Sequence, residues 1–146
     1  MAGKSDSNKR RGSLYEMEFL TRALKNGLEV FTPIGDYLPQ DCLVLNEHGR
    51  VYKVQVKGTA KKADEHNNRK NPRYRLSTGT GRNGRSLIDC EKVDIIAGYI
   101  EPIDTFYLIP CSEIKSVTTS VYSDNPDTTS HLEKYRENWT VFKEVL

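Results

Sequence analysis

Two apolar stretches that face each other across a His48-Gly49 turn constrain the fold of this chain more than any other feature. The first is Cys42-Leu43-Val44-Leu45, preceded by Pro39-Gln40-Asp41, and the second ends Val54-Gln55-Val56-Lys57. Turn chemistry between two such stretches predicts a β-hairpin over 41–57. Residues two apart on a strand share a face, so Val54 and Val56 point into a core while Gln55 and Lys57 point together to the other side. A hairpin centred on His48 sets position 41 opposite position 55, within one residue. An acid, an amide oxygen and a lysine then converge on one spot, a chemistry that suits a hard divalent cation beside a phosphate.

The remaining elements frame that hairpin. Residues 1–12 are polar and basic and are expected to be disordered until bound to something. A helix is predicted over 13–26, with Ser13 as its N-cap and Gly27 as its stop. A short strand over 28–31 and a loop over 34–40 lead into the hairpin. Residues 58–72 have no periodicity and read as a long polar loop, followed by a strand over 74–77 and a flexible glycine-rich loop over 78–85. Residues 93–100 and 105–109 read as two buried strands joined through Glu101-Pro102-Ile103-Asp104. A short helix is predicted over 111–115. Another is predicted over 130–139, capped by Ser130 with Glu133 and burying Leu132, Tyr135 and Trp139. Residues 13–146 thus read as a single mixed α/β domain, which suits a length of 146 residues.

Several classes of protein are disfavoured by composition. No apolar run approaches the roughly 18–20 residues of a bilayer span, and the polar N-terminus is not a signal peptide. The odd cysteines Cys42, Cys90 and Cys111 lack C-x-x-C spacing and lie in apolar contexts. They read as reduced, buried thiols of a cytoplasmic protein, without a zinc site. Net charge is only +2 but is unevenly spread. Residues 57–92 carry 10 Lys/Arg against 4 Asp/Glu, whereas residues 93–146 carry 4 against 9. A basic segment that begins at Lys57, the last residue of the hairpin site, points to a polyanionic partner. Lys61, Lys62, Arg69, Lys70, Arg73, Arg82 and Arg85 are its candidate nucleic-acid contacts.

Glu16 has two readings. It shares a helical face with Phe19, Leu20 and Ala23, which would lean it toward the hairpin as a further carboxylate, yet Ser13-x-x-Glu16 is also a capping box. Gly79, Gly81 and Gly84 lack the strand-loop-helix setting and the G-K-[ST] of a P-loop. His66 stands in a polar loop, and no histidine has a serine or cysteine to activate.

With these residues in place, the sequence resembles the PD-(D/E)XK nuclease superfamily over about residues 12–110. The motifs are Gly12-x-x-x-Glu16, Pro39-x-Asp41 and Gln55-Val56-Lys57, with Gln55 where the general pattern has an acid. That departure, with Asp94, Tyr99 and Tyr107-Leu108-Ile109-Pro110 downstream, is similar to the homing endonucleases of bacterial group I introns. The resemblance implies a restriction-endonuclease-like core, a central mixed sheet flanked by helices. It implies an active site of Asp41, Gln55 and Lys57 supported by Glu16, with Mg²⁺ held by Asp41, Gln55, the Val56 backbone and Glu16. Double-stranded DNA would be the substrate of a homodimer or homotetramer. A Holliday-junction resolvase-like nuclease and a non-cleaving DNA-binding module are the alternatives.

Overall fold

The hairpin stands at the centre of a five-stranded sheet. The computed structural model describes residues 4–64 and 72–143. Helix α1 (Lys4–Lys25) is followed by β1 (Glu29–Phe31), β2 (Cys42–Leu45), β3 (Val51–Thr59), β4 (Tyr74–Ser77), β5 (Ile95–Ile100), β6 (Thr105–Pro110) and β7 (Thr118–Val121). The sheet runs β1-β2-β3-β5-β6, while β4 and β7 form a separate two-stranded ribbon. Strand β3 pairs antiparallel with β2 but parallel with β5, so the sheet is mixed, as expected.

Strand alternation explains where the cores lie. On one face Val44, Val54, Ile95, Ala97, Tyr99, Phe106 and Leu108 pack with Tyr15, Phe19 and Ala23 of α1. On the other, Ile96, Ile100, Tyr107 and Ile109 pack with Tyr74, Leu76 and Val121 of the ribbon. Every residue of β5 is buried, because this strand is covered on both faces. Among the described residues the second face is therefore covered by a β-ribbon rather than a helix, and no helix is long and apolar enough to cross a membrane.

Helix α1 differs from its expected bounds. It begins at Lys4, so the described part of the basic tail is helical and Ser13 lies well inside the helix. The capping-box reading of Ser13-x-x-Glu16 thereby falls, since an N-cap must precede the first turn. The other end is as expected: Gly27 has φ +79°, and the Leu28 N–H donates to the Ala23 carbonyl at 3.1 Å, the 6→1 bond of a Schellman stop. The Tyr15 hydroxyl donates to Glu101 at 2.5 Å, and Arg22 pairs with Asp104, tying α1 to the β5–β6 turn.

Two other expectations are corrected. Residues 130–139 do not form a continuous helix; they give short 3₁₀ turns at Glu133–Tyr135 and Trp139–Phe142. The chain between them is drawn into contact with the edge strand β6. Glu137 donates its N–H to the Phe106 carbonyl at 2.7 Å, and its carboxylate accepts the Phe106 N–H at 2.5 Å. Those bonds satisfy edge groups that a continuous helix would leave unpaired. The cysteines are not all free: Cys90 and Cys111 form a disulfide, with Cα atoms 5.6 Å apart, and Cys42 alone is free and buried. The β5–β6 register, Ile95 opposite Pro110, carries the chain on either side of the pair to the same end of the sheet.

Candidate active site

The register of the hairpin is the one its turn requires. Cys42 pairs with Val54 and Val44 with Tyr52, so the next step places Asp41 opposite Gln55. There the ladder changes partners. The Asp41 N–H donates to the Val54 carbonyl at 2.9 Å, and its carboxylate accepts the Val56 N–H at 2.7 Å. A side chain thus occupies the place of a backbone rung, and the carboxylate is pinned at the point where β2 has ended. The N–H and C=O of one strand residue face the same edge, so the Val56 carbonyl also faces the Asp41 side.

Gln55 is held from its nitrogen end. Its Nε2 donates to the Pro39 carbonyl at 3.0 Å, while its Oε1 is buried with no hydrogen-bond partner among the described residues. Buried polar atoms are nearly always satisfied, so an orphaned acceptor asks for a ligand. Lys57 is half-buried on the same strand, and its charge favours ionised Asp41.

Glu16 meets this cluster from α1. Burial, then the negative charge of Asp41 and a shared hydrogen bond with it, push the Glu16 carboxyl up to about 7, with Asp36 adding to the effect. Burial also raises Asp41, against the Val56 N–H, the Glu16 hydrogen bond and Lys57. Two carboxyls that share a proton form an acceptor set that a cation can occupy in the proton's place. Burial and the same two acids push the Cys42 thiol up to about 12, so it takes no part as a nucleophile.

Among the described residues no three His, Cys, Asp or Glu side chains converge on one point. A metal here must therefore draw on amide and backbone oxygens, and the donors present are all hard oxygens. That set fits a Mg²⁺-like ion and not zinc. The site opens into two adjoining depressions. A cleft of about 540 Å³ is lined by Lys9, Gly12, Glu16, Asp36 and Asp41. A groove of about 900 Å³ is lined by Arg11, Gly12, Tyr15, Lys57 and Lys61.

The basic candidates do not all reach outward. Lys61, Arg82 and Arg85 are exposed. Lys62 pairs with Asp124 at 2.6 Å and Arg73 with Asp64 at 3.5 Å, so part of their charge is already neutralised. Arg69 and Lys70, like His66, lie outside the described residues. The glycine-rich loop closes as a tight hairpin: Thr80 and Ser86 exchange backbone bonds at 2.7 and 3.0 Å, and Gly81 and Gly84 have positive φ. Lys9, Arg11, Tyr15 and Asp36 line the candidate site without having been predicted for it. For Lys9 and Arg11 the signal was their helical spacing from Glu16, had the helix been extended back past Ser13, whereas Asp36 reaches the site from the loop between β1 and β2, which no local period announces.

A family model described as PD-(D/E)XK endonuclease matches residues 6–142. No curated protein matches the chain. Among solved structures, that of a bacterial homing endonuclease, I-Ssp6803I, superposes with a TM-score of 0.70 at 24% identity, over 98% of this chain and 94% of that one. At that identity the likeness is one of fold.

Proposed function

The chain belongs to the PD-(D/E)XK endonuclease family, and from that premise we propose that it is a Mg²⁺-dependent, site-specific DNA endonuclease of the homing type, working on double-stranded DNA as a homodimer or homotetramer. The observation that carries the reading is the orphaned Gln55 Oε1 beside the pinned Asp41 carboxylate. The fold of the bacterial homing endonuclease supports the homing assignment. One site per chain calls for two copies to cut two strands.

Asp41, Gln55 Oε1, the Val56 carbonyl and Glu16 would hold the divalent ion, which when bound supplies Lewis-acid polarisation of the scissile phosphate and a lowered pKa for nearby water. The protein residues do the rest. Asp41 keeps its carboxylate aimed by the Val56 N–H. Gln55 keeps its oxygen inward because its nitrogen is tied to Pro39. Lys57 sets a positive charge beside Asp41, where it can orient the attacking water and stabilise charge that develops on the phosphate. Glu16 shares a proton with Asp41 and would give it up in holding the ion.

Incubating the purified chain with a library of duplex targets, with Mg²⁺ or with EDTA, tests this. Cutting at a restricted set of sites in Mg²⁺ alone is expected. Binding without cutting in any divalent ion would favour the non-cleaving module, and cutting confined to four-way junctions would favour a resolvase.

A further inference from the structure

Gly12 lies in the interior of α1, where glycine is among the poorest helix formers because it gives up the most backbone entropy. The ordinary reasons for keeping a glycine are missing. It is not among the residues of positive φ. A Cβ built on it would meet nothing within 4 Å among the described residues, so none of them requires the room.

Its position suggests what does. Lys9, Gly12, Ser13 and Glu16 follow the i, i+3, i+4, i+7 spacing of one helical stripe and wall the cleft that holds Asp41. Asn8, Arg11, Gly12 and Tyr15 form the adjoining stripe and wall the groove that holds Lys57 and Lys61. Gly12 is common to both, a saddle between the acidic and the basic halves of the site. Lys9 and Arg11 are exposed and put one cation on each side of it.

We propose that one DNA strand crosses α1 at Gly12, with Lys9 and Arg11 holding phosphates on either side of the crossing. The missing side chain sets how closely the strand approaches Asp41 and Lys57. This rests on the nuclease reading above and adds to it a path for the strand and three residues that position it.

The test uses the full chain with Gly12→Ala, with Gly12→Leu and with Lys9→Ala/Arg11→Ala, binding a labelled duplex without metal and cutting the same duplex in Mg²⁺. Both Gly12 substitutions raise helix propensity, so circular dichroism melts should be unchanged or higher. Gly12→Leu should weaken binding about tenfold and cutting about a hundredfold, with Gly12→Ala between it and wild type. The double variant should lower the slope of log affinity against log salt by roughly 1.8, about 0.9 for each lost phosphate contact. Wild-type binding and cutting by Gly12→Leu would overturn the crossing, as would an unchanged salt slope. Should Gly12→Leu fail to fold, Gly12→Ala decides the same question, and wild-type behaviour there overturns it. A wild-type chain that neither bound nor cut duplex DNA would instead remove the nuclease reading, and the crossing with it.

Discussion

Gln55 differs from the carboxylate of the general family pattern in carrying one less negative charge and in having a second polar end, and that second end is in use. The Nε2–Pro39 bond leaves Oε1 as the only part of the side chain free to serve the site. Gln55→Glu adds a charge beside Asp41 but turns a donor into an acceptor facing the Pro39 carbonyl. The charge is worth more than the bond: a unit charge at contact is about 4 kcal/mol at intermediate dielectric, against about 1 kcal/mol for a neutral hydrogen bond. Divalent-ion binding by calorimetry should therefore tighten about tenfold or more, with an altered Mg²⁺ to Mn²⁺ preference in cleavage. No change in a folded variant would take Gln55 out of the site. Lys57→Ala should lower the cleavage rate about 10²–10³-fold while duplex affinity stays within about tenfold, because one cation is a small part of a phosphate interface. Undiminished cutting would leave Lys57 with a structural role only.

At the scale of elements, what was legible in the sequence had a strict local period or a turn residue with a single use. The hairpin register followed from alternation about His48, and the end of α1 followed from Gly27. The start of α1 was not legible, because Ser13-x-x-Glu16 imitates a capping box in a helix that begins nine residues earlier. Strand β7, Thr118-Thr119-Ser120-Val121, has little apolar alternation of its own and is held by its pairing with β4. The break at Glu137 is likewise long-range, set by edge bonds to Phe106 that no local pattern announces. The candidate site divides along the same line: the placement of Asp41, Gln55 and Lys57 together was legible from the hairpin, whereas that of Lys9 and Arg11 depended on the helix start. The basic segment was legible as a charge run but not in its pairing. Because Lys62 already faces Asp124 and Lys61, Arg82 and Arg85 do not face an acid among the described residues, the two groups should behave differently. Neutralising Lys61, Arg82 and Arg85 together should flatten log affinity against log salt by up to roughly 2.7, about 0.9 for each, whereas Lys62→Ala alone should change it by well under 0.9. Fluorescence anisotropy across a salt series measures both. Equal effects per residue would mean that the Lys62–Asp124 pair opens on binding.

For the molecule as a whole, the Glu16–Asp41 pair couples pH, metal and stability. The folded-state carboxyl of Glu16 is raised from 4.5 to about 7, and Asp41 is raised with it. A raised pKa means that the folded chain binds a proton the unfolded chain has released, and that contribution is fully present below about 4.5 and lost as pH rises through about 7. Without metal, the thermal midpoint contribution of this pair should thus decline between about pH 4.5 and 7, as two anions are left facing each other between α1 and the end of β2. A divalent ion reverses the sign. It binds the ionised pair, so its affinity should strengthen as pH rises through about 7, and the rise in midpoint on adding Mg²⁺ should be larger at pH 8 than at pH 5.5. Glu16→Gln removes the shared acidic proton and should leave both the metal-free midpoint and the Mg²⁺ increment flatter over that window. Differential scanning calorimetry of the two proteins, with Mg²⁺ and with EDTA, separates these effects from titration elsewhere in the chain, because only their difference is read. A Mg²⁺ increment that is the same at both pH values in the wild type would mean that the ion does not compete with the shared proton, and Glu16 would then have no part in holding it.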